Sequence, residues 1–443
     1  MHPFLQRLPR LFGRLCVSVE LLSPAGNLEK LKVAFDYGAD AAYMGLSDFS
    51  LRANAHNFSE NDLAEVIRLK ERTGKKLYCT MNILFGESEL ESLQKQLEEI
   101  SKWPFDAFII SDIGLVPILK KAFSDKIELH LSTQASCINS SSAKMYHDMG
   151  FTRVILGRET PLEDIRKIKD AVPELQLETF VHGAMCMAYS GRCLLSSHLT
   201  GRSANQGDCA HTCRWNYRLA ENAEMETVLK SGMLALEEEQ RPGVYYPIAE
   251  ENGYTTILSS KDLCMIDHIE DLLNAGIDSL KIEGRMKSSY YVAVVTRAYR
   301  KAIDAVATGS DTWLKYRDDL MNISHREYST GFFYGHGPID PVMGESIDKS
   351  TESGYLREYL FCGFIKDEVK DQTYSMDLRN QIKVGQKLEY IGSDVLKIED
   401  SSFCLLDEHF NEITQADHGK VQYLKTDKPI KDGYIIRRET MVK

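Results

Sequence analysis

Eight short runs of strand-forming residues recur along this chain, and amphipathic segments separate them. The runs lie at residues 19–26, 40–46, 76–82, 106–112, 127–134, 152–159, 175–183 and 277–284. In the segments between them, such as NLEKLKVAFDYGA at residues 27–39, apolar residues recur every three or four positions, which predicts helices. Eight alternating strand and helix units predict an α/β fold, a (β/α)8 TIM-like barrel whose functional residues lie where the strands end.

A doubly wound open sheet is the alternative arrangement of these units. The first strand is followed by SPAGN, which is not the GxGxxG pattern of a dinucleotide-binding open sheet. Helix boundaries fit the units, because Ser59 with Asp62 can begin a helix and Gly38 and Gly74 can end one. We therefore expect a barrel-type catalytic domain over residues 19–310.

The regular alternation is interrupted after the seventh strand. Residues 184–260 form a cysteine-rich insertion. Near its end, the sequence predicts a hairpin with Asn252-Gly253 in the turn. A helix from Cys264 to Ala275 is then expected to lead into the eighth strand.

The pattern changes again in the last quarter of the chain. Short alternating strands separated by polar turns predict a small C-terminal antiparallel β-barrel domain over residues 351–443. Residues 311–350, rich in glycine and aromatic residues towards their middle, are expected to form a connecting arm. Residues 1–18 are expected to be an N-terminal extension, or the result of a start codon placed too early.

Charge and composition limit the classes of partner. Among 443 residues, 65 are acidic and 53 basic, for a net charge of -12, so nucleic-acid binding cannot be inferred from charge. No stretch approaches the roughly 20 apolar residues that a membrane helix needs. Residues 1–18 lack the continuous apolar core of a secretory signal, and ten cysteines are too dilute for a disulfide scaffold. We expect a cytoplasmic protein that does not bind a membrane.

Four cysteines are clustered in the insertion: Cys186, Cys193, Cys209 and Cys213, with six, fifteen and three residues between them. Zinc sites favour pairs two to four residues apart, which the last pair fits only marginally. An iron–sulfur cluster accepts thiolates that arrive from a loop with uneven spacing. The spacing favours iron–sulfur but leaves zinc open. The other cysteines in strand or apolar contexts are expected to be small buried core residues: Cys79, Cys137, Cys264, Cys362 and Cys404.

An acid–base pair is expected on the seventh strand. Residues 178, 180 and 182 of a strand share one face, so Glu178 and His182 are predicted to point together into the barrel mouth. Cys186 lies near His182 in the sequence, which keeps a thiol peptidase formally possible. No HExxH, GxSxG or phosphate-loop pattern supports another hydrolase.

Charged residues also follow the sixth and eighth strands. Glu283 is predicted to share the catalytic role with the pair on strand seven. Arg158, Arg285 and Lys287 are predicted to bind substrate, because barrels often hold carboxylate or phosphate groups at this end.

Long segments of the chain resemble the collagenase-like peptidase family (peptidase family U, number thirty-two). The most specific is FVHGAMCMAYSGRCLLSSHLTGRSANQGDCAHTCRW, and ELLSPAGNLEKLKVAFDYGADAAYMGL, SSKDLCMIDHI and SLKIEGRMKSSYYVA also match. Within the family, the chain is most similar to the bacterial tRNA hydroxylation proteins, and the resemblance runs from about residue 19 to the end.

The resemblance implies prephenate-dependent 5-hydroxylation of the wobble uridine in tRNA, without O2. It also implies a [4Fe-4S] cluster held by Cys186, Cys193, Cys209 and Cys213, the tRNA anticodon loop as partner, and an electron-transfer partner of unknown identity. Two alternatives stay open: a peptidase, as the historical family name implies, and a cluster- or zinc-bearing subunit without activity of its own.

Overall fold

The structure is a computed structural model that describes residues 19–46, 49, 58–186, 196, 209, 235–237, 245–247, 249–251, 254–256, 261–335 and 358–440. Seven parallel strands come first, each paired with the next: β1 Glu20–Pro24, β2 Ala41–Gly45, β3 Lys76–Met81, β4 Ala107–Ile110, β5 Glu128–Leu131, β6 Arg153–Ile155 and β7 Gln176–Ala184. From β1 to β6, every strand residue is buried except the first residue of β1, β3 and β5, as expected when helices cover the outside.

A later strand closes the barrel. β13 (Ser279–Ile282) pairs in parallel with β7 on one side and with β1 on the other. The eight parallel strands correspond to the eight runs predicted from the sequence, and the (β/α)8 TIM-like fold is confirmed.

Helices cover the outside of the barrel. They are α1 Leu28–Asp36, α2 Leu63–Thr73, α3 Glu87–Ile100, α4 Leu115–Phe123, α5 Ser140–Asp148, α6 Leu162–Ala171, α7 Ile269–Asn274, α8 Ser289–Thr308 and α9 Leu314–Asp318. Short 3-10 turns lie at Glu60–Asp62, Ser124–Lys126, Thr133–Ala135, Ile266–His268 and Asp319–Asn322. Gly74 ends α2 with φ +65°, as predicted. Within the described parts of the chain, no helix is long and apolar enough to cross a membrane.

The insertion after β7 returns to the barrel through a strand. Its described elements are β8 Ala235–Glu237, β9 Tyr245–Pro247, β10 Ala249–Glu251, β11 Tyr254–Thr256 and β12 Asp262–Cys264. β10 and β11 pair as the predicted hairpin. The predicted helix start at Cys264 is wrong, because Cys264 ends β12 and pairs with His182 of β7. The α-helix begins at Ile269. β14 (Tyr328–Ser329) extends the same sheet beyond β12.

The last part of the chain is an antiparallel β-domain with its own apolar core, as predicted. Its strands are β15 Tyr359–Lys370, β16 Thr373–Leu378, β17 Ile382–Lys383, β18 Leu388–Ile391, β19 Ile398–Asp400, β20 Cys404–Leu406, β21 Glu412–Ile413, β22 Gln415–Ala416, β23 Tyr423–Lys425 and β24 Ile435–Glu439. Eight of them form one sheet in the order β19-β18-β24-β15-β16-β23-β20-β21.

A buried ion network joins the C-terminal domain to the barrel. Asp319 pairs with Arg297 of α8 at 2.5 Å and with Arg437 of β24 at 2.6 Å. Arg437 also pairs with Glu389 of β18 at 2.8 Å. Arg297 donates to the carbonyl of Gly392 at 2.7 Å. Because the two guanidinium groups are buried, their charge depends on these acceptors.

Replacement of Asp319 by alanine should lower the free energy of unfolding by about 3–5 kcal/mol, since it leaves two arginines buried without their shared carboxylate. Asp318 is the matched control because it is the next residue along the chain and its side chain is exposed. Asp318→Ala should change the same quantity by no more than about 0.5 kcal/mol. Urea denaturation of both variants is the measurement, and equal losses would contradict the role of the network.

Candidate active site at the barrel mouth

An ion network fills the lower interior of the barrel, on the side where the strands begin. Glu178 of β7 accepts from Lys281 of β13 at 2.7 Å and from Arg153 of β6 at 3.0 Å. Arg153 also pairs with Glu20 of β1 at 2.5 Å, and Tyr78 of β3 donates to Glu20 at 2.6 Å. Five strands are thus linked through one set of buried side chains.

The charges in this interior are compensated. Burial by itself would raise the pKa of Glu178, but the Lys281 ammonium and the Arg153 guanidinium outweigh it and hold that pKa below its ordinary value. Glu178 is fully buried and engaged on both of its carboxylate oxygens. Its contacts place it in the interior network, so the prediction that Glu178 reaches the barrel mouth is wrong.

His182 does not share the face of Glu178 either. Lys281 pairs with Phe180, but the next residue, Ile282, pairs with His182, so β7 contains one extra residue at this point. The shift turns the His182 ring outward against α8, where its Nδ1 lies 3.4 Å from the hydroxyl of Tyr299. The expected Glu178–His182 acid–base pair is therefore not formed.

Aromatic rings surround His182. Its ring centroid lies 5.3 Å from that of Tyr328, 5.5 Å from that of Tyr299 and 6.0 Å from that of Tyr291. The ring is buried, and burial lowers the pKa of His182 to about 3. This imidazole is a neutral packing residue behind the barrel wall.

The structure does bring three of the predicted site residues to the mouth. Arg158, which follows β6, pairs with Glu283, which follows β13, at 3.4 Å. The Arg158 guanidinium also lies over the Phe180 ring, 4.0 Å from its centroid. Arg285 donates to the hydroxyl of Thr80 on β3 at 2.8 Å. Two guanidinium groups and one carboxylate thus converge where the parallel strands end, which suits an anionic ligand that also carries hydrogen-bond donors.

Two amide side chains and one hydroxyl group lie at the strand ends on the other side of the mouth. Asn82, after β3, donates to Gln134, after β5, at 2.6 Å, and Ser132 donates to the same amide oxygen at 2.5 Å. Asn82 and Gln134 are the last residues of two of the eight predicted strand runs, 76–82 and 127–134, so the sequence marks both as polar strand ends. Thr80 and Phe180 were missed, although their inward direction follows from the alternation of side chains along β3 and β7.

Lys287 lies near the segment of the chain that follows α9. Its ammonium contacts the carbonyl of Ser324 at 3.3 Å and lies 5.3 Å from the centroid of the Tyr291 ring. This environment differs from that of Arg158 and Arg285, and a substrate-binding role for Lys287 stays a prediction.

Of the isolated cysteines, Cys79, Cys137 and Cys362 are buried as predicted, whereas Cys264 and Cys404 are only half-buried. Cys186 is exposed immediately after β7, and Cys209 is half-buried. Cys193 and Cys213 lie outside the described residues. Burial raises the pKa of four other thiols, of Cys79 to about 12 and of three more to about 11: Cys137, Cys264 and Cys362. A cluster is held by thiolates, and these four thiols are disfavoured as its ligands because burial keeps them protonated.

Family models match both parts of the chain. The model described as peptidase family U32 matches residues 26–340, and the one described as peptidase family U32 C-terminal domain matches residues 357–437. The chain belongs to peptidase family U32. The resemblance noted from the sequence is thereby confirmed.

Relatives named as tRNA hydroxylation proteins and a relative named collagenase are all similar to this chain over most of its length. The tRNA hydroxylation protein P of Escherichia coli is 38% identical over 84% of this chain and 85% of its own. The tRNA hydroxylation protein P1 of Bacillus subtilis is 35% identical over 95% of this chain and 94% of its own. A protein named collagenase from Porphyromonas gingivalis is 30% identical over 78% of this chain and 79% of its own.

The buried neutral state of His182 predicts a dependence of stability on pH. The unfolded chain protonates this histidine near pH 6.5 and the folded one only near pH 3, so the stability contributed by His182 is lost as the pH falls between these values. Between pH 7 and pH 5 the loss should be about 2 kcal/mol. His182→Phe should remove this part of the pH dependence of unfolding, whereas replacement of the exposed His409 by alanine should not. Parallel pH profiles for wild type and His182→Phe would contradict the assignment.

Proposed function

We propose that this chain is an RNA hydroxylase that acts on tRNA, specifically on C5 of the wobble uridine, with a carboxylate-bearing donor such as prephenate and without O2. The observation that carries the proposal is similarity to two tRNA hydroxylation proteins over 84% and 95% of the chain. The similarity extends over the barrel as well as the C-terminal domain, so it includes every residue at the mouth.

The mouth has groups suited to both substrates. Arg158 and Arg285 are the candidate ligands for the carboxylates of the donor, since guanidinium groups bind carboxylates through paired hydrogen bonds. Glu283 is positioned by Arg158. It can accept a proton from the reacting base, or it can orient a hydroxyl group of the carboxylate-bearing donor. Asn82 and Gln134 offer amide groups that can bind the edge of a uracil, which has two carbonyl acceptors and one N–H donor.

The target base must leave its stack to reach these groups. Bases in an anticodon loop are single-stranded and can be splayed out at low cost, in contrast to bases within a duplex. A negatively charged protein can still bind such a loop through local arginine contacts and base stacking. The net charge of -12 is therefore compatible with a tRNA substrate.

We propose further that Cys186, Cys193, Cys209 and Cys213 hold a [4Fe-4S] cluster, which when bound would supply electron transfer beside the mouth. Cys186 follows β7 directly, two residues after the strand ends at Ala184, so the protein places this thiol next to the strand ends. This role requires an electron-transfer partner.

Peptidase activity is the second candidate, because the collagenase from Porphyromonas gingivalis is also similar to this chain. The geometry supports it less. A thiol peptidase needs an imidazole that can accept a proton from its cysteine, whereas His182 is enclosed by tyrosines and buried. Cleavage of gelatin by the purified protein, abolished in Cys186→Ser, would revive this candidate.

Complementation tests the proposed activity. A strain of Escherichia coli that lacks its own tRNA hydroxylation proteins would express this chain, and nucleosides from its tRNA would be measured by mass spectrometry. We expect wild type to restore nucleosides derived from 5-hydroxyuridine. Absence of these nucleosides, with soluble protein present, would contradict the proposal.

The same complementation assay tests the role of Arg285 in the site. Arg285→Ala should lower the modified fraction at least about tenfold, because a lost charged hydrogen bond to a buried carboxylate is worth roughly 1.5–3 kcal/mol. Arg317→Ala is the control, since Arg317 is partly exposed and pairs with Asp267 and Asp318 on the helical side of the barrel. Equal modification by the two variants at equal protein levels would remove Arg285 from the site.

A further inference from the structure

Four large aliphatic side chains are exposed on loops that follow barrel strands. The exposed fractions are 55% for Leu84 after β3, 50% for Ile113 after β4, 41% for Ile138 after β5 and 51% for Met286 after β13. Among the described residues, the other exposed large hydrophobic side chains lie on helices, near the arm or in the C-terminal domain. A single exposed aliphatic residue needs no explanation, but four around one opening do.

The loops after β3, β4 and β5, which carry three of these residues, are neighbours in the barrel. Ser111 donates to the carbonyl of Ile83 at 3.3 Å, which links the loops after β4 and β3. The Ile138 side chain lies against Gly157, in the loop after β6. Since neighbouring strands are about 4.8 Å apart, the loops after β3, β4 and β5 form an arc of roughly 10 Å. Three stacked bases, which span about 7 Å at about 3.4 Å per step, fit within this arc.

Three of the four residues are close in sequence to a polar group of the mouth. Leu84 is two residues beyond Asn82, and Ile138 is four beyond Gln134, the two amides that contact each other. Met286 lies between Arg285 and Lys287. Apolar surface thus alternates with hydrogen-bonding and cationic groups around the opening. A docked protein usually meets a contiguous apolar patch, whereas a nucleobase has an apolar face and a polar edge.

From this arrangement we infer that Leu84, Ile113, Ile138 and Met286 form an apolar rim that packs against nucleobases flanking the target base of a single-stranded RNA loop. The inference rests on the proposed function and identifies the surface that would bind its RNA. A base drawn into the mouth leaves its neighbours without a stacking partner, and aliphatic side chains can take its place, as apolar wedges do when proteins unstack bases.

RNA binding by the purified full-length protein tests this rim. The probe is a fluorescently labelled 17-nucleotide anticodon stem-loop with uridine at the wobble position, and the readout is anisotropy over a series of salt concentrations. The triple variant Leu84→Ala, Ile113→Ala, Ile138→Ala should bind about tenfold more weakly than wild type, because stacking contacts are lost. The slope of affinity against salt should stay unchanged, because no phosphate contact is removed.

The matched control removes equally exposed aliphatic side chains away from the mouth, in the triple variant Met145→Ala, Leu314→Ala, Val421→Ala. It should bind the stem-loop as wild type does. Leu84→Phe should bind at least as tightly as wild type, since a larger flat side chain stacks better. A Leu84→Phe variant that binds as weakly as the triple alanine variant would contradict a stacking role for this position.

Three results would overturn the inference: wild-type affinity in the rim variant, equal losses in rim and control variants, or a loss accompanied by a changed salt slope. If the rim variant binds RNA as wild type does but no longer restores hydroxylated nucleosides in the complementation strain, the rim is a protein-docking surface instead. Failure of the proposed function has a different signature, because wild type itself would then restore no hydroxylated nucleoside in the complementation strain.

Discussion

The ion network of Glu20, Arg153, Glu178 and Lys281 is the constraint on which the site depends. It links β1, β6, β7 and β13, the strands at which the barrel closes. Three of these four charges are buried, and buried charges are tolerated only when each is paired, so these strands must keep the register that brings the pairs together. That register also fixes the positions of Arg158 and Glu283, which follow β6 and β13 directly.

The mouth lies above this network, where the strands end. Phe180 separates the two levels, with Lys281 5.4 Å from its ring centroid below and Arg158 4.0 Å from it above. Polar groups for a base edge, guanidinium groups for carboxylates, an exposed thiol at Cys186 and an aliphatic rim all occur where strands end. A barrel permits this because each loop contributes to one opening without disturbing the interior.

The sequence was sufficient for the barrel and insufficient for parts of the site. Eight apolar runs predicted eight strands, since burial on both faces leaves a strong signal in each parallel strand. The side-chain direction of His182 was predicted wrongly, because one extra residue in β7 reverses every later side chain and no residue type marks it. The catalytic role of Glu178 was inferred from the same alternation, but Arg153 and Lys281, its partners, come from strands whose register the sequence does not specify. Cys264 was placed in a helix because pairing with a distant strand leaves no local pattern.

Metal and sulfide analysis of anaerobically purified protein tests the central claim, that a redox cofactor held by the clustered cysteines accompanies the RNA site. Wild type would be compared with a variant in which Cys186, Cys193, Cys209 and Cys213 are alanine and the six other cysteines are kept. We predict about four irons and four sulfides per wild-type chain, as a [4Fe-4S] cluster requires, and none in the variant. Zinc in place of iron, or iron that persists in the variant, would contradict the account.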